Sequence, residues 1–463
     1  LVDDAVRFPV EVVCMEKVGD FHHRLLVDQK GAEHALLGFK ILGRDTLRET
    51  HTIEGNTGIV RRPAPADKGQ AVLYLWAIRE DMLHPNFRML RAVGLMVGSI
   101  VGAGVFGLPY AFAQSGAGVG AAWLLGIGAV SLASFLMYAE VVIQTPGTHR
   151  LGGYAELYLG PAWKPVSTVM LASAQVGAML AYAVLGGRFL QSLLGPLLGG
   201  NEVMYALSLV AVIGAFTWRG ARFAARAEGV VVGVLLFLFV LATLASLPSV
   251  QVAHLFSVQW ENALLPYGVI LFALSGLGAI PEMKDALGAK DLRRLPHAVT
   301  FGLFIIVGLY LAFSLAVVGV TGQETTPTAF TGLAVVLGPA FRVVSALLGS
   351  LTVFSIFSMT SLQLQNALAV DLRVPRHVSW ALAVFVPGIL YAVGLREFIG
   401  IIGFVGAVFS GLLGILVVAL YERLRRSPVC REHRCLNVPT ALAALVAALF
   451  AWGVLRELFA FFV

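Results

Sequence analysis

The sequence predicts an all-α membrane protein of about eleven transmembrane helices, arranged as two inverted halves. Three observations carry this: the shortage of charge, the recurrence of long apolar stretches with basic residues on alternate loops, and two glycine-rich helix breaks five spans apart. Of the 463 residues, 58% are hydrophobic and only 13% are charged, with a mean hydropathy of +0.83. Soluble domains carry roughly 25% charged residues. A deficit of this size exceeds what one buried core absorbs, so lipid is the solvent for much of the surface.

The charge is unevenly spread. Up to Arg91 there are about 13 basic and 13 acidic residues, and beyond it about 20 and 14. The chain therefore reads as a charge-balanced leader over residues 1–87 and a membrane domain over 88–463. The net charge of +6 comes from the membrane domain and sits in short loops, as a topology signal rather than a nucleic-acid site. The leader lacks the pattern of a signal peptide. It holds Pro/Gly-rich turns around Gly55–Gly69, and no function is assigned to it. The chain opens on Leu1 rather than Met, as in a fragment, an alternative start or a reading frame carried too far upstream. A start near Met82 or Met89 leaves the membrane domain whole.

Apolar stretches long enough for about 30 Å of hydrocarbon fall near 91–113, 117–143, 164–194, 203–218, 226–247, 262–284, 297–320, 339–368, 377–394, 398–421 and 438–461. The loops after even-numbered spans hold Arg150 and Lys164, then Arg219, Arg222 and Arg226. They continue with Lys284, Lys290, Arg293 and Arg294, then Arg373 and Arg376, and finally Arg423, Arg425, Arg426, Arg431 and Arg434. The opposite side has only Arg188, Arg342, Arg396 and Arg456. By the positive-inside rule the rich side is cytoplasmic, which places the N-terminus inside and, for an odd span count, the C-terminus outside. The outer connection 321–338 reads as a short amphipathic helix on the outer face. The inner segment 147–162, with Tyr154 and Tyr158 and followed by Trp163, reads the same way at the inner interface.

Span one contains Gly98-Ser99-Ile100-Val101-Gly102-Ala103-Gly104-Val105-Phe106-Gly107-Leu108-Pro109, and span six contains Ala273-Leu274-Ser275-Gly276-Leu277-Gly278-Ala279-Ile280-Pro281-Glu282. Clustered Gly with Pro is poor helix material. Freed backbone groups are tolerated at membrane depth only where they meet protein or water. Small-residue spacings such as Gly98 to Gly102 also serve plain helix packing. Two such breaks at matching positions of inverted halves point instead to a midplane binding site. The starts of the second half-helices offer N–H groups to an anion, and the facing carbonyls suit a cation. An amino-acid zwitterion with a coupling ion fits.

The stretch GSIVGAGVFGLPYAFAQSG at 98–116 resembles the first helix of the amino acid/auxin permease group within the amino acid/polyamine/organocation superfamily. The hydroxy/aromatic amino acid permeases, which include the tryptophan/tyrosine permeases, are nearest. FALSGLGAIPEMKDALG at 272–288 is similar to their sixth helix and YAEVVIQTPG at 138–147 to the end of their second. The resemblance covers about 88–463. It implies a leucine-transporter-type fold, five plus five inverted helices with one extra, and ion-coupled transport of an amino acid. It also implies that Ser99, Gly102, Ala103 and Gly104 hold the substrate's carboxylate and amine through their backbone. Phe272, Ala273, Ser275, Gly276 and Leu277 would line the side-chain pocket. Two departures stand out: span three ends in Gly186-Gly187-Arg188, and span five has no lysine where some relatives use one in place of sodium.

Ionisable residues inside spans are expensive and mark function. Glu140 near the inner end of span two and Glu282 just past the second break are candidates for the proton carrier. The competing reading pairs each with a loop arginine such as Arg219, Arg222 or Arg293. Ser355 and Ser358 share a face of span eight and are candidates for a Na⁺ site, or for helix packing. The coupling ion, H⁺ or Na⁺, stays open, and no cofactor is expected. Cys14, Cys430 and Cys435 do not indicate a disulfide framework. Cys430, His433 and Cys435 match no strong zinc pattern. A membrane-embedded enzyme is disfavoured because the spans hold no histidine at membrane depth, those present falling in loops or at helix ends, and no carboxylate pair. The alternatives kept are a transporter-fold sensor or channel and a carrier for another small amino acid or amine. The leading reading is a permease in the cytoplasmic membrane, specific for an aromatic or other large neutral amino acid.

Overall fold

A computed structural model describes Val12–Val18, Phe21–Leu25, His51–Gly55, Gly58–Arg62 and residues 85–463 apart from 148, 219–223, 433–434, 437 and 463. The chain divides into two compact units, Leu1–His84 and Pro85–Val463.

In the first unit, strands β1 (Val12–Val18), β2 (Phe21–Leu25), β3 (His51–Gly55) and β4 (Gly58–Arg62) make an antiparallel sheet in the order β2-β1-β3-β4. Val12 pairs with Ile53, and Gly55 faces Gly58 at the end of the β3–β4 ladder. Most of the remaining turn region expected up to Gly69 lies outside the described residues.

The second unit is helical. It opens with α1 (Pro85–Ile100), a 3₁₀ turn Ala103–Phe106, α2 (Leu108–Ser115), α3 (Ala117–Gln144), α4 (Leu151–Leu159), α5 (Trp163–Leu198), α6 (Glu202–Trp218) and α7 (Ala224–Ser246). It continues with α8 (Leu265–Ala273), α9 (Ala279–Asp291), α10 (Leu295–Thr321), α11 (Phe330–Leu337), α12 (Pro339–Asp371) and α13 (Arg376–Val393). It closes with α14 (Phe398–Phe404), a π turn Val405–Ser410, α15 (Gly411–Arg425), α16 (Pro428–Glu432) and α17 (Thr440–Phe462). Among the described residues, 7 helices are long and apolar enough to cross a membrane, or 8 when the bent pair α1–α2 counts as one span. The apolar helices α6 and Gly233–Ser249 are shorter.

Close backbone packing explains much of the glycine content. Gly116 turns the chain from α2 into α3 at φ 99°, and a Cβ there would meet the Ser257 carbonyl. Gly268 of α8 and Gly406 of the π turn are in direct backbone contact, since a Cβ on Gly406 would run into the Gly268 oxygen. The π turn thus sits where the last third of the bundle crosses the broken sixth span, a common setting for such irregularities.

Three expectations change in the folded chain. The segment after α3 does contain a helix, α4, but Tyr154 is buried against Tyr138 at 5.7 Å instead of lying in the interfacial belt. That burial raises its phenol above the ordinary value. The connection after α10 is likewise no flat surface helix: α11 buries Phe330 and Leu333 and leaves Val335 outside. A lone amphipathic helix has no partner but the membrane, whereas here the bundle supplies an apolar groove. Finally, Cys430 and Cys435 are joined in a disulfide, their Cα atoms 5.3 Å apart. The short turn of α16 folds the two cysteines back on one another, which a count of three cysteines does not foretell. So paired, they offer no thiolate to a metal; His433 lies outside the described residues.

Lys284, counted above as a loop charge, has a specific task. Its Nζ donates to the carbonyls of Val142, Thr145 and Gly147 at 3.0, 2.8 and 2.8 Å. It closes the C-terminal end of α3, where carbonyls lack helical donors and the helix dipole favours a cation. Lys284→Met is expected to destabilise the protein by about 1.5–3 kcal/mol, the worth of hydrogen bonds to a charged group. An unchanged melting curve for the variant would show the cap to be incidental.

Candidate functional site

Both glycine-rich segments are real breaks. α1 stops at Ile100, Gly102 leaves the helix at φ −141° and ψ −147°, and the flanking helices bend by 56°. α8 stops at Ala273, and helix resumes only at Ala279. Pro109 and Pro281 fall in the first turn of the second half-helix, where a missing N–H leaves no bond unmade. The proline restarts the helix instead of breaking it.

The fold brings the two breaks into contact. A Cβ on Gly104 would lie 2.6 Å from the Ala273 Cα and 3.1 Å from the Phe272 ring, and one on Gly276 would run into the Ile100 side chain. Glycine at these positions is what lets one unwound backbone lie on the other. Gly102 faces Ile356 of α12 at 3.4 Å from a would-be Cβ. Ala103 and Gly104 are buried, Gly276 and Leu277 are half-buried, and Ser99 and Ser275 are exposed. The Ser275 hydroxyl donates to its neighbour's Phe272 carbonyl at 2.7 Å, so it closes the turn of the break.

Tyr310 of α10 ties the two segments together. Its hydroxyl donates to the Ile100 carbonyl and to the Ala273 carbonyl, 3.1 Å from each. These are the terminal carbonyls of the two first half-helices, and a buried carbonyl left unpaired costs about 1–3 kcal/mol. Sequence reading did not single out Tyr310. A tyrosine in the middle of an apolar span was the available signal, because a buried phenol needs a partner.

On the α11 side the breaks are roofed by rings. Phe106 of the 3₁₀ turn meets Phe330 at 5.0 Å, Phe189 at 5.3 Å and Phe239 at 5.4 Å. Phe313 closes on Phe239 at 4.8 Å. On the α4 side, Arg88 near the start of α1 pairs with Asp291 at the end of α9, 3.3 Å apart and both nearly buried, and Arg294 reaches the same carboxylate at 3.3 Å.

The ion-coupling candidates are scattered. Buried Glu140 accepts a hydrogen bond from Gln144 of its own helix at 2.8 Å, and among the described residues it has no ion pair. Glu282 is exposed in the first turn of α9, with Arg150 its principal opposing charge. Arg219 and Arg222, offered as partners, lie outside the described residues. Ser358 is buried, and its hydroxyl turns back to the Phe354 carbonyl at 2.7 Å. Ser355 is half-buried with no hydrogen bond among the described residues. Arg188 pairs with Glu202 at 3.4 Å, and Gly186 and Gly187 pack on Leu209 and Ala206 of α6. A cavity of about 350 Å³ between α4, α5 and α12 is lined by His149, Arg150, Glu156, Lys164 and Asp371. Its charges are engaged locally, Lys164 with Glu156 at 2.9 Å and Asp371 with Thr168 at 3.5 Å. It is a polar seam whose Arg150 also opposes Glu282, just past the second break.

Residues 86–455 match the model of the tryptophan/tyrosine permease family. The chain belongs to this family. Among tryptophan/tyrosine permease relatives, it is 25% identical over 354 residues to the tyrosine-specific transport system 1 of Haemophilus influenzae, covering 72% of this chain and 87% of that one. It is 24% identical over 380 residues to the tryptophan-specific transport protein of Shigella flexneri, covering 74% and 89%. Among solved structures it resembles MhsT in complex with L-phenylalanine, with a TM-score of 0.61 at 17% identity, over 80% of this chain and 97% of that one. It also resembles the nucleobase-cation-symport-1 family transporter MHP1, with a TM-score of 0.56 at 13% identity, over 80% and 90%. These likenesses carry the leucine-transporter-type fold. As a tryptophan/tyrosine permease the chain is a multi-pass membrane amino acid permease and not an enzyme.

Proposed function

We propose that this permease is a secondary active carrier of an aromatic or other large neutral amino acid, bound where the breaks of the first and sixth spans meet. The observation that carries the reading is the contact of Gly104 with Ala273 and of Gly276 with Ile100, which sets two unwound backbones side by side at the centre of the bundle. Such a pair offers free N–H groups at the starts of the second half-helices and, at the ends of the first, carbonyls that each keep a second lone pair beyond the bond to Tyr310. A zwitterion needs both. In this reading the backbone of Ser99, Gly102, Ala103 and Gly104 takes the carboxylate and amine, and Phe272, Ala273, Ser275, Gly276 and Leu277 take the side chain. The tyrosine- and tryptophan-specific relatives favour an aromatic ring as that side chain.

The carrier resides in the cytoplasmic membrane with about eleven spans, its N-terminus cytoplasmic, the α4 face inside and the α11 face outside. The aromatic roof then closes the outer route and the Arg88–Asp291–Arg294 cluster guards the inner one. Alternating access exchanges these two closures. Coupling is to H⁺ or Na⁺. Among the candidates, Ser355 has a hydroxyl free to ligate an ion, and Glu140 is a buried carboxylate suited to a proton.

The test is uptake of radiolabelled tryptophan, tyrosine, leucine and alanine into proteoliposomes under an imposed proton or Na⁺ gradient. Accumulation of an aromatic substrate above equilibrium under one gradient is expected. Folded protein that accumulates none of the four under either gradient would refute the reading.

A further inference from the structure

We infer that Tyr310 is a positioning residue whose hydroxyl stands between the Ile100 and Ala273 carbonyls in the place a monovalent cation would otherwise fill. The inference takes from the reading above only that the breaks are the working centre.

Both carbonyls end a half-helix and so carry the negative pole of its dipole. Two such oxygens brought together repel unless positive charge lies between them. In carriers built on broken helices, carbonyls of this kind coordinate the coupling ion. Here the positive charge is the hydroxyl proton of a fully buried phenol, shared by both oxygens at 3.1 Å. Among the described residues no backbone N–H reaches either carbonyl. The ring is carried by α10, so one side chain of the seventh span sets the spacing of the first and sixth. Ser314 lies four residues on, on the same face of α10. It is fully buried, and its hydroxyl has no partner. The two carbonyls and, one turn further along the same face of α10, the Ser314 hydroxyl are oxygens of the type that ligates a hard monovalent ion, and the phenol bridges the two carbonyls.

Removing only the phenol oxygen should convert this arrangement into a cation site. Wild type and Tyr310→Phe are extracted and purified in parallel in NaCl and in choline chloride, without any amino acid, and melted in each salt. In choline the variant is expected to melt about 2–4 °C below wild type, or to fail to fold. Na⁺ should restore most of that loss, while shifting wild type by less than half as much. Adding Ser314→Ala to the variant should weaken the Na⁺ response. An equal Na⁺ shift in both proteins, a variant that ignores Na⁺, or one that fails to fold in NaCl as well as in choline chloride would overturn the inference. Binding of radiolabelled tryptophan to wild type, measured separately, tests the carrier reading: its absence would sink that reading and leave the Na⁺ comparison standing.

Discussion

Gly104→Ala is expected to weaken binding of an aromatic amino acid by more than tenfold and to lower the melting temperature. The added methyl would sit 2.6 Å from the Ala273 Cα and 3.0 Å from its Cβ. Atoms of a neighbouring backbone cannot swing aside as a flexible side chain does, so one break must move away from the other. Overpacking of this kind typically costs about 1–3 kcal/mol. Tenfold in affinity is about 1.4 kcal/mol, so a modest displacement at the binding backbone is enough. Gly94→Ala is the matched control: it lies in the same first half-helix, and a methyl there meets nothing within 4 Å. That change should be neutral or slightly stabilising, because alanine is the better helix former. Equilibrium binding and thermal melts of both variants decide the matter. Wild-type affinity in Gly104→Ala would mean that the contact between the breaks is not part of the binding site.

Asp291→Asn is expected to destabilise the protein by about 3 kcal/mol, the lower end for breaking a buried ion pair from one side. The side chains of Arg88 and Asp291 are 8% and 11% exposed, so water does little to replace the lost carboxylate. Arg294, at 43%, is wet enough to lose much less. The pair joins the start of α1 to the end of α9, beyond the sharp turn at Gly288, so its loss should loosen both half-helices on one face. A double-mutant cycle with Arg88→Gln isolates the interaction. Strong coupling between the two substitutions is expected; simple additivity would show that the two residues act independently.

The extent of legibility differs by element. Helices bounded by lipid were plain: the stretches read at 117–143 and 377–394 fold as Ala117–Gln144 and Arg376–Val393. An apolar run in lipid must satisfy its own backbone, and only a helix does so within one segment. The two breaks were equally plain, since glycine clusters and a following proline are local conformational facts. Segments whose fate depends on a partner were less so. Tyr154 and Phe330 sit in stretches that look interfacial, yet both are buried because the bundle provides a cavity that composition does not reveal. Lys284 looked like one more topology charge and proves to cap α3 from another span. The short sheet of β1 to β4 had no sequence reading at all.

By itself, then, the sequence determined a multi-span helical membrane protein, the family resemblance and the two helices that would break. Each of these follows from composition, from short-range backbone preference or from a contiguous motif. Only the tertiary structure decided that Gly104 rests on Ala273, that Tyr310 holds both freed carbonyls and that Arg88 meets Asp291. Those pairs are separated by up to some two hundred residues. Their contact is set by how helices pack rather than by any preference a residue carries alone.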